Sequence, residues 1–138
     1  MKGAQRIFLH RGESGVTRNL LNEEALEELL ARDGFVIVDP EKQSTHEVVK
    51  ACAGAQIVLG VEGSQLIHGF MAMRQRGAIL AMMPPYRFVN HYKDLADCAD
   101  LYYGMIVGTA ANGGFLIDPN ELRRLLERVE QKLDQARE

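Results

Sequence analysis

The chain has 138 residues, 46% hydrophobic and 25% charged, which fits one globular domain with its own core. A formal net charge of −3 disfavours nonspecific binding to nucleic acid or an anionic membrane, while leaving room for a local phosphate-binding patch. The two cysteines, Cys52 and Cys98, are too few for a disulfide framework and read as free thiols in a reducing compartment.

The start, Met1 to Arg6, is short and polar and does not read as a signal peptide. Arg6 to His10 is a first strand, followed by a polar loop from Arg11 to Thr17. From Asn22 the pattern turns helical, with Leu26, Leu29 and Leu30 as the apolar stripe. Asn22 can cap this helix through its side-chain oxygen, Glu23 and Glu24 suit its positive end, and Gly34 stops it. Phe35 to Val38 is apolar at every position, so a strand buried on both faces is expected. Ser44 and Glu47 have capping-box spacing and open a second helix that runs to about Ala53.

Gln56 to Leu59 is the third strand, and a helix is expected from about Ser64 to Arg74. Ala78 to Met82 is the fourth strand, ended by Pro84 and Pro85, which cannot donate to a ladder. A helix near residues 90–99 leads to a last strand around Leu101 to Val107, which includes Tyr102 and Tyr103. Gly108 to Gly114 reads as a flexible loop. Asp118, Pro119 and Glu121 then open a final helix, whose stripe of Leu122, Leu125, Leu126, Val129 and Leu133 docks on the sheet. No apolar run nears the ~20 residues that span a bilayer. The alternation predicts one α/β domain over residues 1–138, a Rossmann-like, doubly wound parallel sheet of about five strands with right-handed crossovers.

Ligands of such sheets bind beyond the carboxyl ends of the strands, near the switch point. That rule selects the loops after Leu9, Leu59 and Met82. In the turn Gly60-Val61-Glu62-Gly63-Ser64, the two glycines let backbone approach a ligand, and the helix opening at Ser64 offers unpaired N–H groups to a phosphate. The plainer alternative is that any βα unit can turn on two glycines. Arg11 and Arg18 fall on the same edge, and guanidinium groups match phosphate oxygens in bidentate geometry; as a lone pair they would be ordinary surface arginines. His68 lies one turn beyond Ser64, where it can face a ligand or simply pack. His10 and His91, with Asp39 or Asp94, show no metal-ligand spacing, and no Asp-x-Asp motif is present. His46 is expected to face solvent, and Met71, Met73, Met82 and Met83 to be core or pocket wall. No Gly-x-Gly-x-x-Gly follows the first strand, which counts against a dinucleotide site.

The segment Arg18-Asn19-Leu20-Leu21-Asn22-Glu23, followed by Gly34-Phe35, resembles the arginine-to-Asn-Glu segment of family 61 glycosyltransferases. Gly60-Val61-Glu62-Gly63-Ser64-Gln65-Leu66 resembles their Gly-x-His-Gly-Ala/Ser-x-Leu turn, and the strand into Met83-Pro84 follows at a similar distance. The likeness runs from about Arg6 to Tyr103. It implies the C-terminal, donor-binding half of a two-domain GT-B enzyme of the capsular or surface polysaccharide type. That enzyme would be cytoplasmic, inverting and metal-independent, with no cofactor beyond the nucleotide sugar itself, often UDP-linked. The resemblance also implies a glycan acceptor and an N-terminal acceptor domain. Arg11, Arg18, Asn22, Gly60, Gly63, Ser64 and Tyr86 would then bind the donor, with Glu62 and His68 as candidate catalytic groups. Glu62 stands where the family usually has histidine, and His68 where it usually has asparagine. A noncatalytic nucleotide-binding or interaction module is the alternative; a receiver-like signalling domain lacks the acid cluster expected at the end of its first strand.

Overall fold

The computed structural model describes residues 6–10, 20–61, 77–85 and 101–136. Among these residues five strands form one parallel sheet: β1 (Arg6–Leu9), β2 (Val36–Val38), β3 (Ile57–Val61), β4 (Ala78–Met83) and β5 (Tyr102–Val107). Their spatial order is β2-β1-β3-β4-β5, with Leu9 beside Val38 and Gly60, and Gly60 beside Ala81. This is the doubly wound order of flavodoxin-type sheets, whose switch point falls between β1 and β3. Helices α1 (Glu23–Arg32), α2 (Thr45–Cys52) and α3 (Pro119–Ala136) accompany the sheet, as does a hairpin of β6 (Thr109–Ala111) and β7 (Gly114–Leu116).

The strands form because runs of branched and aliphatic residues can bury both faces only when helices cover each one. On one face Phe8, Leu59, Val61, Leu80 and Met82 meet Leu26 and Leu30 of α1 and Leu122, Leu126, Val129 and Leu133 of α3. On the other, Ile7, Leu9, Val58 and Ile79 meet Val48 and Cys52 of α2. All six residues of β4 are buried, and each large aliphatic side chain among them contributes about 1.5–3 kcal/mol over exposure. Arg6 fastens the start of β1 to both helices of the first face, with ion pairs to Asp33 at 3.2 Å and Glu130 at 2.5 Å.

Several boundaries differ from the sequence expectation. β2 is an edge strand, so Val36 stays 46% exposed, and Phe35 is buried just before the strand begins. A continuous apolar run does not distinguish an edge position from a central one. Leu29 also leaves the expected stripe and is half exposed. β3 runs on through Gly60 to Val61, because β1 continues the ladder to Gly60 and β4 continues it to Val61. Gly34 and the Ser44 capping box behave as expected: Gly34 takes φ 87°, and the Ser44 hydroxyl and Glu47 carboxylate each accept from the other's backbone N–H. The expected loop 108–114 is instead a hairpin turning on Asn112 and Gly113, with Ala111 opposite Gly114 and Gly113 at φ 92°. The expected helices over residues 64–74 and 90–99 lie outside the described residues.

Candidate functional site

In a parallel sheet every strand ends on the same edge, and β1, β3, β4 and β5 end there at Leu9, Val61, Met83 and Val107 in turn. Because β1 and β3 are adjacent, their ends at Leu9 and Val61 stand side by side at the switch point. Of the sequence-selected residues, Asn22 and Gly60 are described. Arg11, Arg18, Glu62, Gly63, Ser64, His68 and Tyr86 lie outside the described residues, as do Cys98, His91 and Asp94. Gly60 sits within β3, so the turn proper starts after Val61.

Asn22 does not cap α1 through its side chain. Its Nδ2–H donates to the Ile117 carbonyl at 2.8 Å, and the Ile117 N–H donates back to Oδ1 at 3.2 Å. Together with the Leu20–Phe115 bridge and the Leu21 N–H to Phe115 carbonyl bond of 2.9 Å, this fastens the end of the arginine loop to β7. The carboxamide goes to Ile117 because that residue is buried and its backbone groups have no water to turn to.

The best-defined polar cluster at this edge is one that sequence spacing missed. His10 follows β1, its N–H donates to the Val38 carbonyl, and its ring turns toward α1. Nδ1 stands 3.2 Å from Glu23 Oε1 and is in closer contact with Glu27 Oε1. Glu23 and Glu27 are one helical turn apart and so share a face of α1. Glu23 is only 6% exposed, the one charged side chain buried among the described residues. Burial alone would lower the His10 pKa; the Glu27 hydrogen bond and the charges of Glu23, Glu27 and Asp39 outweigh it and hold the imidazole above its ordinary value. The readable signal was the Glu-x-x-x-Glu pair on α1, which no motif search pairs with a strand-end histidine.

Other described groups point away from chemistry. Burial pushes the Cys52 thiol up to about 11, so it is an inert core residue. His46 is exposed, and Met82 and Met83 are buried in β4. A cleft of about 580 Å3 lies between α1 and α3, lined by Leu29, Leu30, Leu122 and Leu126 among others. Helix residues line it, not strand ends. No helix among the described residues is long and apolar enough to cross a membrane.

Comparison with known proteins adds the following. Among solved structures, the flavodoxin-like domain of a Synechococcus protein matches with a TM-score of 0.59 and 13% identity, covering 94% of this chain and 95% of that one. The Flv1 flavodiiron core from Synechocystis, solved after metal soaking, matches with a TM-score of 0.52 and 9% identity, covering 96% of this chain and 36% of that one. At such identities both likenesses concern the fold alone. No curated protein matches the sequence. The family model of Glycosyltransferase 61 matches residues 1–80, which takes in β1 to β3, both sequence motifs and the first residues of β4. That match covers more than half of the 138 residues, and the chain belongs to glycosyltransferase family 61.

Proposed function

We propose that the chain is the donor-binding domain of an inverting, metal-independent glycosyltransferase of the capsular polysaccharide type, the C-terminal half of a GT-B enzyme. It would work in the cytoplasm beside an N-terminal acceptor domain. The observation that carries the reading is topological: the family-matched segment contributes the two strands, β1 and β3, that flank the switch point. The loops leaving those strands hold Arg11 and Arg18 on one side and Gly63 and Ser64 on the other.

In this reading the two guanidinium groups and the amides at Gly63 and Ser64 bind the donor diphosphate. They stabilise it as the sugar–phosphate bond breaks, where negative charge develops. Gly60, being inside β3, leaves the close approach to Gly63, and Asn22 acts by fastening the arginine loop. Tyr86 closes the nucleobase or sugar pocket. Glu62, or His68 one turn beyond Ser64, takes the proton of the attacking glycan hydroxyl.

Calorimetry with UDP and other nucleoside diphosphates tests the reading. Saturable binding is expected, weakened by Arg18→Ala by about tenfold or more, as the loss of a charge-assisted contact predicts. No binding of any nucleoside diphosphate at millimolar concentration overturns it. The carboxylate at position 62, where the family usually has histidine, favours a second reading as a noncatalytic nucleotide-binding module. Slow donor hydrolysis by the wild type that Glu62→Gln abolishes would exclude that second reading.

A further inference from the structure

We propose that His10, Glu23 and Glu27 form a zinc site that pins the root of the arginine loop to α1. The three side chains come from two elements and converge on one point: one ligand atom from each lies within 4.8 Å of the others. At a metal–ligand distance of about 2.0–2.1 Å, ligands of a tetrahedral ion stand about 3.3–3.4 Å apart. The His10 Nδ1 to Glu23 Oε1 separation of 3.2 Å already has that spacing, and Glu27 needs only to draw back slightly. One imidazole and two carboxylates suit Zn2+ better than Mg2+ or Ca2+, which favour an all-oxygen shell. Three protein ligands leave a fourth position for water.

Charge points the same way. Even with the imidazole protonated, the trio carries a formal −1, and Asp39 adds its field to the same ring. One of the two carboxylates, Glu23, is buried, and buried charges in proteins are paired or coordinate metals. Zinc would displace the Nδ1 proton of His10 and bring the cluster from a formal −1 to zero. The side chains of His10 and Glu27 keep 26% and 18% exposure, so an ion can enter from solvent. Arg11 is the residue after His10, so the ion would act at the start of that loop, and the entrance of α1 is already tied through Asn22 to Ile117, just past β7. The inference stands on this geometry and does not depend on the donor reading.

The test is a calorimetric Zn2+ titration of the metal-stripped full chain, with circular dichroism to verify folding. One equivalent should bind the wild type, and a Co2+-loaded sample should show the visible d–d absorption of a low-symmetry site. Glu27→Gln should weaken Zn2+ by about 10- to 100-fold or more, at least the effect of losing an outer-shell partner. His10→Ala should abolish binding, and His46→Ala, on exposed α2, should leave it unchanged. Absence of binding to the wild type at micromolar Zn2+, or equal binding by wild type and Glu27→Gln, overturns the proposal. Should a variant fail to fold, the His10 ring resonances of the wild type decide. Their selective shift with the first equivalent supports the site, and no shift overturns it.

Discussion

Asn22 illustrates how much one side chain can hold. Its carboxamide satisfies both backbone groups of Ile117, a residue 1% exposed. Asn22→Ala strands a buried donor and a buried acceptor, and at about 1–3 kcal/mol for each such group a loss of about 2–6 kcal/mol is expected. Urea denaturation measures it. Asn22→Asp is the informative companion: it keeps the acceptor for the Ile117 N–H but faces the carbonyl with a second oxygen, so it should recover less than half of the loss. The sequence suggested a different job for Asn22, that of a cap, because an Asn before two acids has the local signature of one. What redirects it lies 95 residues away, beyond the reach of any local pattern. His10 and its two glutamates were hidden for the same reason: only the pairing of β1 with the sheet turns that ring toward α1.

At the scale of elements, local chemistry was legible where local chemistry decides. The capping box of α2 is one case. The Ser44 backbone N–H and hydroxyl hold the Glu47 carboxyl below its ordinary 4.5. A folded-state pKa below the unfolded value means stability present above about 4.5 and lost as pH falls through the folded pKa. Ser44→Ala should cost about 1 kcal/mol near neutral pH. The destabilisation caused by Glu47→Gln should shrink toward zero as acid protonates the carboxyl, which urea midpoints along a falling pH series measure. The β6–β7 hairpin carried an equally local signal, Asn112-Gly113 flanked by Ala111 and Gly114, the preferred two-residue turn. Three glycines between residues 108 and 114 masked it by suggesting a featureless loop. Strand identity was readable from apolar runs, but edge against centre was not, since β2 and β3 look alike in sequence and differ only in how many neighbours they have.

Over the whole molecule, the alternation of strands and helices sufficed to anticipate a parallel, doubly wound sheet, and the family motifs sufficed to place interest at one edge of it. The order of strands was not readable, because each strand pairs with partners chosen by crossover geometry and packing. That order gives the hairpin its importance. β6 and β7 follow the last strand of the sheet, yet β7 bonds to residues 20–22 at the entrance of the first helix. A handful of contacts therefore join residues 20–22 to residues 115–117, and in amide exchange they are expected to open as one unit. The Leu21 and Ile117 amides should exchange with matched protection in the wild type. In Asn22→Ala both should exchange faster together while the β3 and β4 amides keep theirs, and independent rates at the two positions would refute the coupling. A motion that frees the hairpin would then also release residues 20–22, so that contacts made near residue 117 would govern the opening of the entrance to the first helix.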